Sequence, residues 1–168
     1  MKRYTIAVLV RNQFGVLNRV TSMFRRRQFN ISALSVSETE SNAFSRITVT
    51  FDGEDIAKHQ LVNQLYKLPD VCSIKEFTDS DSVSCELLLI KVQNEPDTRE
   101  EIRAAASAFN ADIVDYSKDS MVFRLTDSSR RIDEFINFMR DYTILEICRT
   151  GSVSLEKGST TIRQIINL

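Results

Sequence analysis

The sequence is poor in several residue types that mark catalytic centres or irregular structure: its 168 residues include one histidine, two prolines, four glycines and no tryptophan. His59 stands alone, so a histidine-based proton relay would have no second imidazole. Charged residues make up 27% of the chain but nearly cancel, to a net charge of −1. That balance gives no electrostatic reason to expect a nucleic acid as partner. Composition thus indicates an ordinary soluble globular protein.

Signals for a membrane or an oxidising compartment are also missing. No apolar run approaches the roughly 18 residues that a membrane-spanning helix needs. Met1–Arg3 leads directly into a strand pattern, without the apolar core of a signal peptide. Cys72, Cys85 and Cys148 are an odd number without metal or redox spacing, which favours a reducing compartment. We therefore expect a cytoplasmic protein whose three cysteines are buried as small apolar side chains.

One supersecondary pattern occurs twice, over Tyr4–Phe77 and again over Cys85–Leu155. Each copy opens with a dense apolar strand, reaches an asparagine (Asn12 or Asn94), and continues through a short loop into an amphipathic helix. The two copies are offset by about 80 residues, as expected for a duplicated unit. Units of this size bury little apolar surface alone, so shared sheets or dimerisation would stabilise them.

The hydrophobic periods predict the order β-α-β-β-α-β in each copy. After the first strand, apolar residues recur with helical spacing from about Gly15 to Gln28: Val16, Leu17, Val20, Met23 and Phe24. Alternating β-branched segments then predict a hairpin, a second helix and a last strand. This order is that of the ferredoxin-like α+β fold. We expect two such domains, at residues 1–78 and 83–157, joined by a short polar linker and followed by a tail at 158–168.

The loop between Asn12 and Gly15 is the best candidate for a ligand site. Free N–H groups and the positive dipole end of the following helix attract a carboxylate or a phosphate, and a glycine permits close backbone approach. Asn30 starts the next strand and is expected at the same end of the sheet, where its amide offers donors and an acceptor. Val16, Leu17 and Ile31 would supply apolar walls. These groups suit an amino-acid zwitterion, although the same residues are also typical of a tight turn beside a strand-end asparagine.

The second copy differs at the corresponding loop. Between Asn94 and its helix it has Glu95, Pro96 and Asp97, with no glycine and with added negative charge. We therefore expect the first copy to bind a ligand and the second to do something else.

Longer stretches carry a resemblance to a known family. In the first copy these are Asn-x-x-Gly-Val-Leu-x-Arg-Val at Asn12–Val20, Phe24–Ile31, Leu34–Val36, Thr39–Glu40 and Phe44–Thr48; in the second, Leu89–Val92, Asp112–Asp115 and Ile147–Gly151. They resemble the N-terminal ACT domain and the C-terminal half of the small, regulatory subunit of acetohydroxyacid (acetolactate) synthase. The resemblance spans both halves of the chain and is more specific than a lone glycine motif.

The resemblance implies a subunit without an active site of its own. Such a subunit binds the thiamine-diphosphate-dependent catalytic subunit of acetolactate synthase, raises its activity, and confers feedback inhibition by branched-chain amino acids, chiefly valine. Thiamine diphosphate, FAD and magnesium are then expected only on the catalytic partner, and no cofactor or metal on this chain. Lys157–Leu168 matches little of the family and is expected to be disordered or to lie on a partner.

The family binds its effector where ACT domains from two subunits meet, which implies a homodimer. By matching positions, the effector-binding residues are Asn12, Gly15, Val16, Leu17, Asn30 and Ile31.

Three other functions are compatible with parts of the pattern. RNA-recognition modules share the element order, but Phe44–Val49 has one aromatic residue and lacks their Lys/Arg-Gly-Phe signature. An enzyme would need a nucleophile or acid–base motif, and none is recognisable. The alternative that stays open is a stand-alone ACT-domain amino-acid sensor acting on another pathway or on transcription.

Overall fold

The structure of the protein, a computed structural model, describes residues 2–165, with side chains described as far as Arg163. The chain divides into two compact units, and each has the predicted βαββαβ order of an α+β fold. In the first unit the elements are β1 (Lys2–Arg11), α1 (Val16–Arg26), β2 (Ile31–Glu38), β3 (Phe44–Gly53), α2 (Asp55–Leu65) and β4 (Val71–Phe77). No helix in the described part of the chain is long and apolar enough to cross a membrane.

The first unit is an antiparallel sheet in the order β2-β3-β1-β4 with both helices on one face. Strand residues alternate between the faces, so every second side chain of β1 and β3 points to the helices. These side chains form a closed core with the helices: Ile6, Val8, Val10, Val16, Val20, Phe24, Ile47, Val49, Phe51, Leu61, Leu65 and Ile74. Burial of this apolar face is the main term that stabilises the unit.

The second unit repeats the arrangement. Its elements are β5 (Ser82–Gln93), α3 (Arg99–Ala108), β6 (Asp112–Tyr116), β7 (Ser120–Asp127), α4 (Ser129–Met139) and β8 (Ile144–Arg149), with the sheet order β6-β7-β5-β8. Its helix α4 contributes the four core side chains that the spacing predicts: Ile132, Phe135, Ile136 and Met139. An ion-pair cluster joins β5, β8 and α4, since the guanidinium of Arg149 donates to the buried carboxylate of Glu86 and to Asp133.

The last part of the chain returns to the first unit. From Ser152 onward the residues belong with residues 1–84, and they comprise β9 (Val153–Glu156) and a short 3-10 helix (Ile162–Ile165). Ser154 Oγ lies 2.7 Å from Ser84 Oγ, and Lys75 Nζ lies 2.7 Å from Glu156 Oε1. The second compact unit thus ends at Gly151, whereas the prediction extended it to residue 157, and the 3-10 helix packs against β4. Residues 166–168 of the predicted tail lie outside the described residues.

The prediction of three buried cysteines is wrong. Cys85 and Cys148 are exposed and Cys72 is only partly buried. Cys148 pairs with Leu89 of β5, whose side chain faces away from the helix-side residues Leu88 and Ile90. A strand exposes alternate side chains, so a cysteine in an apolar segment does not have to face the core.

Candidate functional site

Gly15 occupies the N-cap position of α1 with a φ of +80°, a conformation that side-chain-bearing residues rarely adopt. A Cβ atom built there would meet only the Arg19 Nη1 atom, at 3.5 Å. The position is thus constrained by its backbone rather than by a crowded environment. The predicted glycine turn ahead of the first helix is present.

The first turn of α1 is suited to an anion. The N–H groups of Leu17 and Asn18 have no hydrogen-bond partner among the described residues, and the turn contains no acidic side chain. Unsatisfied N–H groups and the helix dipole together favour negative charge at this position. A carboxylate placed beside Gly15 could accept from these groups without displacing a side chain.

Arg19 adds a cation that the sequence analysis did not assign to the site. Its Nη2 lies 2.7 Å from Asp70 Oδ2, and Nε donates to the same oxygen at 2.9 Å. The pair fixes the guanidinium with Nη1 turned toward Gly15. Gly15 and Arg19 are four residues apart on a helical path, which places them on one face, so this spacing was the available signal.

Asn12 is bound to the β2–β3 hairpin. Its Nδ2 donates to Glu38 Oε1 at 3.2 Å and to the Asn42 carbonyl at 3.1 Å, while its backbone N–H donates to Ala43 O at 2.8 Å. These bonds hold the start of the Asn12–Gly15 loop against the end of β2. The side-chain oxygen of Asn12 stays available as an acceptor beside the loop.

Asn30 does not lie at the same end of the sheet as Asn12, contrary to the prediction. In the β1–β3 register Arg11 pairs with Phe44, and in the β2–β3 register Ile31 pairs with Phe51. Asn12 therefore follows the end of the sheet that holds Phe44, while Asn30 precedes the opposite end. The reason is that α1 and the residues after it carry the chain back along the sheet, so β2 starts at the end of the sheet where β1 starts. Asn30 is exposed at that far end.

The three residues predicted to form the apolar walls of the site lie in different environments. Val16 is only 3% exposed and packs into the core, so it cannot line an open pocket. Leu17, predicted on the core face of α1, is instead 41% exposed beside the free N–H groups. Ile31 is half buried and packs against the core next to Asn30. Phe14, which precedes the glycine, is fully exposed.

The corresponding loop of the second unit is closed. Asn94 is 5% exposed, donates to Ser117 O at 2.7 Å, and accepts from Arg99 Nε at 2.7 Å. The first turn of α3 carries Glu100 and Glu101, which disfavour an anion there. In the described part of the chain, no group of three His, Cys, Asp or Glu side chains could hold a metal ion.

Comparisons with known proteins cover both units. One family model, the AHAS small subunit-like ACT domain, matches residues 6–73, and a second, the small subunit of acetolactate synthase, matches residues 85–158. The chain is 43% identical to the probable acetolactate synthase small subunit of Archaeoglobus fulgidus, over 94% of this chain and 98% of that protein. It is 41% identical to the acetolactate synthase small subunit of Bacillus subtilis, over 95% and 92% of the two chains.

A solved structure agrees with the fold. The crystal structure of the acetolactate synthase small subunit from Thermotoga maritima superposes with a TM-score of 0.85 at 30% identity, covering 95% of this chain and 100% of that one. The similarity therefore extends through both units rather than through one of them.

Proposed function

The chain belongs to the acetolactate synthase small-subunit family, and from this premise we propose that it is a non-catalytic regulatory subunit that activates the catalytic large subunit and makes it sensitive to valine or a related branched-chain amino acid. The family relationship implies a catalytic large subunit as partner. Activation of the large subunit, the effector and a homodimer go beyond this relationship, and the geometry of the first unit supports the last two.

The observation that carries the proposal is the separation of Asn12 and Gly15 from Asn30. A glycine loop with free N–H groups lies at one end of the sheet, and an exposed amide lies at the other. One copy of the chain cannot bring these groups to one ligand. A second copy can, provided that its strands run in the opposite direction across the interface.

Strand β2 is suited to such an interface because it forms an edge of the first sheet. Thr39 N–H donates to Phe44 O on β3, and bonded positions alternate along an antiparallel pair. The N–H groups of Leu34 and Val36 therefore point away from β3. Their side chains are 38% and 43% exposed, although they lie on the helix side of the sheet. Unpaired edge groups next to exposed apolar side chains are typical of strand pairing between chains.

A twofold axis beside β2 would pair two copies of the strand antiparallel. An isologous interface places the same patch on both sides. The Ile31 end of β2 in one copy would therefore lie opposite the Glu38 end of β2 in the other copy. Asn30 of the partner subunit would approach the Asn12–Gly15 loop of this one. The dimer thus has two equivalent sites, each made from both copies.

The completed site has the groups that an amino acid requires. The N–H groups of Leu17 and Asn18, with Arg19 beside them, would bind the carboxylate. The side-chain oxygen of Asn30 of the partner subunit would accept from the ammonium group. The exposed Leu17 side chain would contact an apolar side chain of the ligand. Because the ligand touches both copies, it binds a particular arrangement of the dimer, and this difference in affinity is what can alter the catalytic subunit.

A titration tests the proposal. The purified chain is added to the authentic catalytic large subunit supplied with its cofactors, and acetolactate formation is measured with and without valine. We expect the chain alone to form no acetolactate, the mixture to exceed the large subunit alone, and valine to reverse the gain. An unchanged rate over a full titration would contradict the regulatory role. Acetolactate formed by the chain alone would contradict its non-catalytic nature.

A further inference from the structure

The first unit contains a cavity of about 420 Å³ on the face of its sheet that is turned away from α1 and α2. One wall is the sheet itself, at Leu9, Arg46, Lys75 and Phe77. The opposite wall is the C-terminal segment, here residues 155–163. Ligand pockets usually measure about 300–1,000 Å³, so the volume suffices for a small organic molecule. The cavity lies on the other face of the sheet from the core that packs α1.

The cavity is lined by equal numbers of opposite charges. Its cations are Arg46, Lys75 and Arg163, and its carboxylates are Glu38, Glu40 and Glu156. Apolar side chains contribute the rest of the wall: Leu9, Phe77, Leu155 and Ile162. A cavity with no net charge does not favour a phosphate or a polyamine, because each would meet three like charges. It suits a molecule that carries one charge of each sign and an apolar part.

Three buried polar atoms on the residues of this lining have no hydrogen-bond partner among the described residues. Glu156 accepts from Lys75 Nζ at 2.7 Å through Oε1, but Oε2 is buried and has no hydrogen-bond partner among the described residues. Arg163 Nε lies 2.9 Å from Glu40 Oε1 as an ion pair, but neither Nε nor the buried Nη2 has a hydrogen-bond partner within that part of the chain. A buried polar atom without a partner is costly and rare in folded proteins. An unpaired carboxylate oxygen and two unpaired guanidinium nitrogens on residues of one cavity are groups that a zwitterion would satisfy.

Arg46 is held in place by groups around the cavity. Its Nη2 donates to the Ser154 carbonyl, and its guanidinium lies 5.6 Å from the centre of the Phe77 ring. Burial lowers the pKa of Arg46 from its ordinary value, although Glu40 opposes this. The cation is therefore partly withdrawn from water, and its attraction for a carboxylate is stronger than at an open surface.

We propose that this cavity binds a small α-amino acid with an apolar side chain, with the ammonium group on Glu156, the carboxylate on Arg163, and the side chain against Leu9 and Phe77. The site is distinct from the Gly15 loop, which lies at the N-terminus of α1. It needs no second copy, because all its residues belong to the first unit. The C-terminal segment supplies both polar partners, so the ligand stabilises the docking of that segment on the sheet.

Calorimetry on the full chain tests the site, with L-valine, L-leucine, L-isoleucine and L-methionine as separate probes. The chain carries Gly15→Asp, which blocks the loop site, or alternatively Asn30→Ala if the first background does not fold. We expect at least one probe to bind in this background. Glu156→Gln or Arg163→Gln should each weaken that binding at least about tenfold, since each removes a hydrogen bond to a charged group.

Two controls separate binding from damage to the fold. Glu100→Gln removes one exposed carboxylate in the second unit and should leave the affinity unchanged. Arg163→Lys keeps the cation and should recover part of the affinity. As a measurement that needs no variant, the probe should slow amide hydrogen exchange at residues 157–163 in the unaltered chain.

The results of these binding experiments test the cavity site separately from the proposed regulatory function. Absence of binding by all four probes in both backgrounds overturns the cavity site, whatever the large-subunit titration gives. An affinity that is unchanged by both Glu156→Gln and Arg163→Gln overturns the cavity site as well. Binding that depends on Glu156 supports the site, even if the large subunit does not respond.

Discussion

Asn12 Nδ2 donates to Glu38 Oε1 at 3.2 Å, and this bond ties the loop at the end of β1 to the last residue of β2. Glu38 therefore contacts the candidate effector loop and ends the strand proposed to pair with a second copy. If β2 moved when a dimer formed, the hydrogen bond from Asn12 to Glu38 would move Asn12 with it. The same carboxylate lines the cavity on the open face of the sheet.

Glu38→Ala should weaken valine inhibition without abolishing it. The change removes one acceptor of the Asn12 amide, while the bond to the Asn42 carbonyl remains. An exposed hydrogen bond contributes about 0.5–1.5 kcal/mol, so we expect a shift of roughly two- to tenfold in the inhibitory valine concentration. Glu38→Gln keeps an acceptor and serves as the matched control. Equal shifts for the two variants would show that charge, not the hydrogen bond, is responsible.

Gly15→Asp should abolish valine inhibition while activation of the large subunit persists. The new Cβ would lie 3.5 Å from Arg19 Nη1, so the carboxylate can pair with that guanidinium and occupy the place of the ligand's carboxylate. Gly15→Ala carries the same backbone strain at φ +80° without the charge. Valine dose–response curves distinguish the two. If the aspartate variant folds, activates and stays inhibited like the wild type, the loop is only a turn.

Mixed dimers test whether each effector site uses residues from both copies. One chain carries Gly15→Asp and the other Asn30→Ala, with different affinity tags for purification of the heterodimer. If each site uses Gly15 of one chain and Asn30 of the other, the mixed dimer has one unaltered site and one site that carries both substitutions. With Glu156→Gln on both chains to weaken the proposed cavity site, we expect one valine per mixed dimer with wild-type affinity, and none in either parent homodimer. If each site used both residues of one chain, the mixed dimer would bind no valine.

If the proposed dimer forms through β2, Val36→Lys should give a folded monomer that no longer binds valine at the loop. Val36 lies on an edge strand and is 43% exposed, so lysine does not disturb the core, but its charge opposes strand pairing. Ile56→Lys alters an even more exposed apolar residue, on α2, and is the control. Light scattering after size exclusion gives the mass of each. A dimer that survives Val36→Lys would place the interface elsewhere.

Arg149→Ala should destabilise the second unit. Glu86 has a side chain only 3% exposed, and loss of the guanidinium leaves its carboxylate buried without a cation. The hydrogen bond to Glu86 raises the pKa of Arg149, although partial burial opposes it. Breaking such a pair costs about 3 kcal/mol, at the low end because Arg149 is partly exposed.

Hydrogen exchange of the β7 amides measures this loss within the second unit. Arg103→Ala breaks an exposed pair with Glu100 and should change the free energy of unfolding by less than about 0.5 kcal/mol. Equal protection in Arg149→Ala and wild type would show that the buried carboxylate finds another partner.

The elements of both units could be predicted from the sequence because their apolar residues repeat with clear periods. The helix face Ile132–Met139 and the strand alternation in β3 are local signals, and the core follows from them. Predicting the position of Asn30 also requires the direction in which α1 and its connections take the chain across the sheet. The 11 residues of α1 rise about 16 Å, roughly half the length of β1, and the residues between α1 and β2 carry the chain the rest of the way to the start of β1. Asn12 and Asn30 flank the same helix in sequence, yet they lie at opposite ends of the sheet.

The path of the C-terminal segment could not be predicted in the same way. Residues 157–163 have no apolar period, and their contacts include polar pairs with residues far earlier in the chain, such as Lys157 with Ser80 and Arg163 with Glu40. Such pairs depend on the finished sheet and leave no local pattern. Arg19 differs in this respect. Its four-residue spacing from Gly15 can be read from the sequence, whereas its ion pair with Asp70 cannot.

The discontinuous first unit has a consequence for synthesis of the protein. Residues 85–151 are made before Ser152 and the residues after it, which complete the first unit. At about 5–20 residues per second, a ribosome takes on the order of ten seconds to cover that interval. During this time the nascent sheet lacks the segment that forms the far wall of its cavity. Truncated products of interrupted translation would therefore carry a fully translated but uncovered sheet, which a chaperone or protease could distinguish from the finished subunit.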